Sequence, residues 1–158
     1  SNRTAHHYTR AYQQAVWNRT ARAYFNGRDD FCVGAVKRHR RALDLIEQFI
    51  DVYKGQARHL ISILHYLENS HDSNERAHHM DTDTAEFLLR NVANGRLDNT
   101  AVLLFSDHGI RFSAERLAVQ GEIEERTPFF AIYLPPSYAA QRPDSVANLK
   151  RNAQQLST

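Results

Sequence analysis

The stretch from Thr100 to Gly109, TAVLLFSDHG, decides the fold predicted for this chain. Five apolar residues, 101–105, run directly into a polar turn that begins at Ser106. An apolar run of this length, bounded by Asn-Thr before it and by glycine after it, predicts a strand buried on both faces. Strands of this kind are typical of α/β sheets, in which ligands bind just beyond the carboxyl ends of the strands. The sequence therefore predicts an α/β fold with a ligand site near residues 106–109.

Asp107 and His108 stand at that predicted strand end. A carboxylate oxygen and an imidazole nitrogen suit Zn²⁺ and similar ions, and Gly109 allows the backbone to turn away sharply. In the alternative interpretation Asp107 caps a turn and His108 is an ordinary surface residue. The short motif by itself leaves both interpretations open.

A second apolar run, residues 60–64, predicts another buried strand, and a polar loop containing His71 follows it. A helix is expected between the two strands, with a capping box formed by Asp83 and Glu86 and an end at Asn94-Gly95. Strand, helix and strand with short links form a βαβ unit and hence a parallel pair. His71 and His108 then open on the same sheet edge, so we expect His71 to be a further metal ligand. The alternative is a loop histidine that hydrogen-bonds to nearby backbone.

The remaining chain predicts helices on either side of this unit. Apolar spacing predicts a helix within residues 1–30, one over 33–53 and one near the C terminus, capped near Asp144 or Ser145. A third strand is predicted over 129–134, stopped by Pro135-Pro136. Residues 109–126 are expected to be irregular.

Composition excludes a general affinity for nucleic acid. The 158 residues carry 20 basic and 18 acidic side chains, for a net charge of +2, which provides no global attraction to phosphate. The basic run from Lys37 to Arg41 could touch phosphate, but a solvated face of an amphipathic helix is the preferred interpretation. We therefore expect no nucleic-acid partner.

Two features favour an extracellular or luminal protein over a reduced, cytosolic one. The single cysteine, Cys32, excludes an internal disulfide and by itself leaves both open, since it is either reduced or paired with a cysteine outside the chain. The first residue is serine, which we interpret as a sign of a processed product or a fragment. Asn2 and Asn18 begin N-glycosylation sequons, which matter only in a secreted or luminal protein. No apolar run approaches the roughly 18 residues of a membrane span.

Several longer motifs resemble a known superfamily. NTAVLLFSDHG, a later glycine, an acidic stretch and TPFFAIYLP are similar to alkaline phosphatase-like proteins, which include sulfatases, nucleotide pyrophosphatases and phosphoethanolamine transferases. LFSDHGIRF, QGEIEERTPFFAIYLPP and NLKRNAQQLST look closer still to DUF229, an animal family of unknown function that is extracellular or membrane-tethered. The resemblance implies a partial three-layer α/β/α alkaline phosphatase/sulfatase-like core, with a mostly parallel sheet and flanking helices. Residues 32–158 would then be the C-terminal portion of the domain, lacking the nucleophile half, and residues 1–31 an N-terminal helical extension.

The same resemblance implies a metal site. Asp107 and His108 would ligate one divalent ion, zinc or calcium, and His71 would bind a second metal or the substrate. Arg111 is our candidate for contact with the oxygens of the substrate, and a surface arginine is the simpler alternative. The nucleophile would lie in the missing N-terminal half of the domain, so this chain alone would hold no catalytic residue and would be inactive.

The implied substrate is a small-molecule, glycan or lipid ester, and the implied full-length protein is a metal-dependent phospho- or sulfo-ester hydrolase or transferase. Two departures favour the alternative, a catalytically degenerate extracellular binding domain. Sulfatases often have lysine after the glycine that corresponds to Gly121, where this chain has Glu122. The acidic residue that often precedes the upstream histidine has only a weak counterpart in Glu68.

Overall fold

The computed structural model describes residues 9–25, 32–56, 61–64, 76–111 and 114–156. These fall into two compact units, divided between Leu45 and Ile46. The α-helices are α1 (Arg10–Phe25), α2 (Arg38–Tyr53), α3 (His78–Ala93), α4 (Val119–Arg126), α5 (Pro136–Gln141) and α6 (Pro143–Leu156). The strands are β1 (Cys32–Val33), β2 (Val36–Lys37), β3 (Val102–Phe105) and β4 (Phe130–Tyr133), and a 3₁₀ helix spans Ala114–Leu117.

The first unit contains a short hairpin that leads into α2. β1 and β2 pair antiparallel, with Val33 opposite Val36, and Gly34 adopts a positive φ of 65° in the two-residue turn. His39 and Leu43 are buried at 2% and 5% exposure. Lys37 of the basic run ends β2, and 38–41 open α2. Successive helical residues point about 100° apart, so these four wind around the helix, and one of them, His39, faces inward with Leu43. The run is therefore not a uniformly solvated face.

The second unit contains the pairing of α2 with α3. Phe87 and Leu97 are its buried hydrophobic side chains among the described residues, and Asn91 is fully buried beside them. Glu47 accepts hydrogen bonds from Arg90 Nη2 at 2.6 Å and from Asn91 Nδ2 at 2.7 Å. One turn further along α2, both carboxylate oxygens of Asp51 accept from Arg96, at 2.7 and 2.9 Å. These two arginine–carboxylate contacts hold the helices together beside a small apolar core.

The predicted parallel α/β/α core is wrong. In the part of the chain that the structure describes, both sheets have two strands, and both pairs are antiparallel. Residues 61–64 lie in no strand, and Ile61 and Ile63 are 84% and 87% exposed. An apolar run identifies a strand without identifying its partner or direction, and the strand that pairs with β3 is β4, which follows it in sequence.

The expectation that the Thr100–Gly109 strand is buried on both faces is also wrong. Residues directly opposite in an antiparallel pair share a face, so Leu103, Phe105, Phe130 and Ile132 lie together on one face of the β3–β4 ribbon. These four side chains are 41–63% exposed, and the Phe105 and Phe130 rings lie 6.1 Å apart. We call this surface the apolar ribbon face.

Other elements differ in their boundaries. α3 begins at His78, with Ala77 as a cap that makes no side-chain hydrogen bond, so Asp83 and Glu86 lie inside the helix and form no capping box at its start. α3 ends as expected at Asn94-Gly95, where Gly95 has a φ of 73°. α6 begins at Pro143, whose fixed φ suits the first helical turn. The region expected to be irregular contains the 3₁₀ helix and α4.

The helices among the described residues are too short or too polar to cross a membrane.

The α2–α3 contacts predict a loss of stability in acid. Burial acts to raise the pKa of Glu47, but hydrogen bonds from Arg90 and Asn91, with the charges of Arg90 and Arg96, outweigh burial and lower it. The Arg96 hydrogen bond and charge likewise lower the pKa of Asp51. Because these pKa values are lower in the folded chain, their stabilisation is present above the ordinary carboxyl pKa and is lost as the pH falls through the folded values.

We expect the free energy of unfolding, measured by urea titration between about pH 7 and pH 3, to decline less steeply in Glu47→Gln than in the wild type. Equal slopes for the two proteins would show that Glu47 does not carry the acid sensitivity.

Candidate functional site

Hydrogen bonds between Ser106 and Phe129 fix the position at which the turn Ser106–Gly109 begins. The Ser106 N–H donates to the Phe129 carbonyl at 3.0 Å, and the Phe129 N–H donates to Ser106 Oγ at 3.0 Å. These bonds continue the pairing one residue beyond Phe105 and Phe130. Ser106 therefore ends the ladder, and the chain turns at Asp107.

Asp107 and His108 face each other in that turn. Asp107 Oδ1 accepts the His108 backbone N–H at 3.1 Å, and Asp107 Oδ2 lies 3.5 Å from His108 Nε2. The other ring nitrogen, Nδ1, donates to the Gly109 carbonyl. The side chains are 73% and 32% exposed, so a ligand can reach both groups.

This geometry fits a divalent metal. Metal–nitrogen and metal–oxygen distances near 2.1 Å place two ligands of a tetrahedral zinc site roughly 3.4 Å apart, and the separation here is 3.5 Å. A ligating histidine usually donates its other N–H to a carbonyl or carboxylate, as His108 does to Gly109. Within the described residues, however, no group of three or more His, Cys, Asp or Glu side chains is placed to hold a metal. Asp107 and His108 therefore form a pair with the spacing of two metal ligands, and the described residues add no third.

The turn rests directly on α4. The Gly109 N–H donates to the Glu125 carbonyl at 2.9 Å, and a Cβ at Gly109 would meet the Glu124 carbonyl oxygen and lie 2.8 Å from Glu125 Cα. One turn earlier on α4, a Cβ at Gly121 would meet the Glu115 carbonyl oxygen and lie 2.8 Å from Arg116 Cα. Real Cβ atoms do not approach backbone this closely, so glycine is required at both positions. Two glycines thus let the turn and the 3₁₀ helix pack against α4.

Glu125 lies at the centre of this arrangement. Its carboxylate contacts Arg116 Nε at 2.6 Å and Arg111 Nε at 3.5 Å. The Glu125 side chain is 14% exposed, against 52% for Arg111 and 43% for Arg116. A half-enclosed carboxylate therefore binds one arginine from the 3₁₀ helix and one that follows the turn.

A cavity of about 230 Å³ opens between the turn and α4. Ser106, Gly109, Arg116, Glu125 and Phe129 contribute to its wall. This volume is below the roughly 300 Å³ at which pockets begin to hold a whole drug-sized ligand. The cavity can accept part of a ligand or several water molecules.

The structure brings together three of the residues expected at the site. Asp107 and His108 are in contact, and Arg111 follows within the same loop, where it reaches Glu125. His71 and Asn2 lie outside the described residues, so their predicted roles stay predictions. Asn18 lies in α1 and is exposed.

Sequence reasoning missed Glu125 and the helix that carries it. One signal was present: Gln120 and Glu124, and Glu122 and Arg126, are spaced four residues apart, as partners on a helical face are. The structure shows both pairs, at 2.9 and 2.8 Å. Gly121 and the neighbouring acidic residues concealed this spacing, because glycine is a poor helix former.

No curated protein and no solved structure matches the chain significantly. The model of a family described as "Protein of unknown function (DUF229)" matches residues 1–158. The chain therefore belongs to the DUF229 family.

Proposed function

We propose that the Ser106–Gly109 turn is part of the divalent-metal site of a phospho- or sulfo-ester hydrolase or transferase. The observation that carries this proposal is the placement of Asp107 Oδ2 and His108 Nε2, 3.5 Å apart, with Nδ1 of the same ring bonded to a carbonyl. The resemblance of the surrounding sequence to alkaline phosphatase-like proteins supports the choice of reaction. Imidazole among the ligands favours zinc over calcium, which prefers oxygen ligands.

The residues of this chain have separate roles in the proposed site. Asp107 and His108 hold the metal, which when bound supplies positive charge that draws electron density from the ester oxygens. Arg111 is the candidate for contact with those oxygens, since a guanidinium binds phosphate and sulfate groups well. Its contact with Glu125 is long, 3.5 Å, and its side chain is 52% exposed, which is compatible with a substrate role.

We propose that further polypeptide supplies the nucleophile and the remaining ligands, and covers the apolar ribbon face. Four exposed large hydrophobic side chains on one surface support this, because a patch of this kind usually marks an interface. The proposed substrate is a small-molecule, glycan or lipid ester. The proposed location is extracellular or luminal, supported by the sequons at Asn2 and Asn18. The resemblance to DUF229 adds a membrane-tethered full-length form to this proposal.

The experiment is a zinc and calcium titration of the purified full-length protein, in which the remaining ligands are present, with bound metal measured by elemental analysis. We expect His108→Ala to weaken zinc binding by at least about 100-fold, because losing a ligand costs more than the 10–100-fold typical of a supporting residue. His78→Ala is the matched control, since His78 is also exposed but lies at the start of α3. The zinc affinity of His78→Ala should equal that of the wild type.

A degenerate binding domain is the second candidate. Glu122 supports it, because Glu122 follows Gly121 where sulfatases often carry lysine, and it pairs with Arg126 at 2.8 Å. In that case His108→Ala leaves the bound metal unchanged, and the proposed metal site is wrong.

A further inference from the structure

The beginning of α2 carries a cluster of cations that we call the basic patch. Its members are Lys37, Arg38, Arg40 and Arg41. Lys37 and Arg41 are exposed, and Arg38 and Arg40 are half-buried. The first turn of α2 contains no acidic residue that would offset these charges. Positive charge concentrated on so short a segment attracts polyanions.

Helix geometry directs the centre of the basic patch away from the protein. Arg41 is two residues from both His39 and Leu43, and two residues correspond to about 200° around a helix. His39 and Leu43 are buried, at 2% and 5% exposure, so Arg41 lies on the opposite, solvent-facing side. Arg38 precedes Arg41 by three residues, which is the spacing of neighbours on a helix surface. The two arginines are therefore placed to contact one ligand.

The charges of two arginines in the basic patch are not neutralised by the described residues. Arg40 Nε lies 3.5 Å from Asp44 Oδ1, so Arg40 has an acidic neighbour. Neither Arg38 nor Arg41 forms an ion pair with another described residue, and Arg38 Nε is buried without a hydrogen-bond partner among them. A buried N–H group without an acceptor costs free energy. An anion bound at Arg38 and Arg41 supplies the charge that this part of the chain lacks.

The stability of α2 does not explain the basic patch. Cations near the N-terminus of a helix interact unfavourably with the helix dipole, which favours acidic residues at that end. The first turn of α2 therefore has the opposite charge from the one that would stabilise it. Departures from a local rule of this kind are typical of functional sites.

The chemistry of the basic patch favours a sulfated polysaccharide over other polyanions. Three of the four members are arginine, whose planar guanidinium group makes paired hydrogen bonds to sulfate oxygens. A linear sulfated chain needs only closely spaced cations on an accessible surface, and basic runs of this length are typical of heparin-binding segments.

The alternatives require features that this segment does not have. Single-stranded nucleic acid is bound through aromatic side chains that stack on its bases, and residues 37–41 contain no exposed aromatic side chain. The net charge of +2 provides no general attraction to a duplex. A helix that binds a membrane inserts its apolar face, but Leu43 is buried and Leu45 is only 38% exposed.

We propose that the basic patch binds a sulfated polysaccharide, with the Arg38 and Arg41 guanidinium groups on its sulfate oxygens and Lys37 contributing positive charge beside them. The proposal uses no residue of the Ser106–Gly109 turn. It therefore stands or falls independently of the proposed function.

The test measures the affinity of the purified full-length protein for heparin by isothermal titration calorimetry. We expect the double variant Arg38→Gln/Arg41→Gln to bind heparin about tenfold or more weakly than the wild type, because two charge-assisted contacts are lost. The slope of log affinity against log salt concentration should decrease by about two, one for each lost contact. Arg41→Gln alone, at an exposed position, should weaken binding by about threefold or more, and it provides the test should the double variant fail to fold.

Arg142→Gln/Lys150→Gln is the matched control. It removes two exposed cations outside the basic patch and leaves the same net charge as the double variant. Its heparin affinity should remain within about threefold of the wild type, because the lost charge acts only through a field that salt screens. Desulfated heparin, which keeps the carboxylates, should bind the wild type about tenfold or more weakly than heparin.

The proposal is overturned if the wild type does not bind heparin, or if Arg41→Gln binds heparin as tightly as the wild type. Equal affinity for heparin and desulfated heparin would contradict recognition of sulfate. Tighter binding to oligo(dT) or to vesicles that contain phosphatidylserine would also overturn the proposal, by showing that the basic patch serves nucleic acid or a membrane.

Discussion

Replacing Gly121 by alanine is expected to destabilise the second unit by about 2 kcal/mol or more, even though the change improves helix propensity. Alanine in a helix interior is favoured over glycine by about 1 kcal/mol. Here, however, the added Cβ would meet the Glu115 carbonyl oxygen and lie 2.8 Å from Arg116 Cα. Overpacking costs about 1–3 kcal/mol where side chains can adjust, and here the opposing atoms are backbone. The free-energy cost of the steric clash therefore exceeds the gain in helix propensity.

Val119→Ala provides the matched control for Gly121→Ala. Val119 lies at the start of α4 and is 78% exposed, so its change alters propensity in the same helix without a new contact. We expect its free energy of unfolding to remain within about 0.5 kcal/mol of the wild type. Chemical denaturation of the three proteins measures the difference. A Gly121→Ala protein as stable as the wild type would show that the 3₁₀ helix does not pack on α4 in this way.

The second large effect is expected from Asn91→Asp. Asn91 is fully buried, and its Nδ2 donates to Glu47 Oε1 and to the Phe87 carbonyl, both at 2.7 Å. An aspartate oxygen would place an acceptor against these two acceptors and a negative charge beside the Glu47 carboxylate. An uncompensated buried charge costs about 3–5 kcal/mol. We expect a loss in this range at neutral pH, with a smaller loss near pH 5, because protonation restores a donor.

Asn94→Asp is the control for Asn91→Asp. Asn94 is exposed, and its side-chain oxygen accepts the Arg96 N–H at 3.1 Å, a bond that aspartate can also make. Its substitution should cost less than about 0.5 kcal/mol. Thermal unfolding followed by circular dichroism at two pH values distinguishes the variants. Equal melting temperatures for Asn91→Asp and Asn94→Asp would show that the hydrogen bonds of Asn91 do not stabilise the fold.

The sequence predicted local structure better than the arrangement of the elements. Helical spacing indicated α2, although the helix begins at Arg38 and the predicted start at Val33 lies in the β1–β2 hairpin. The Asn94-Gly95 pair correctly marked the end of α3, because this signal depends on residues close in sequence. The run at 101–105 correctly indicated a strand. Its antiparallel partner and exposed face were not predictable from that run, because apolarity carries no information on direction or on what covers a strand.

The candidate site shows the same limit: the sequence reveals neighbouring residues but not contacts between distant ones. Asp107 and His108 could be proposed from the sequence, and the structure shows them in contact, because the chemistry of two adjacent side chains is visible there. The contribution of Glu125 was not, because its contacts with Gly109 and Arg111 span 16 and 14 residues and exist only after α4 and the turn have packed. Gly109 was expected to serve a sharp turn, and the structure adds that it permits close backbone contact.

The β3–β4 ribbon has a practical consequence for solution work. Its four exposed apolar side chains form a surface on which identical molecules can associate, and a two-stranded ribbon also offers strand edges for pairing between chains. Self-association then competes with folding as concentration rises. Unfolding and metal titrations of this chain therefore belong at low concentration, with light scattering to confirm that the sample remains monodisperse.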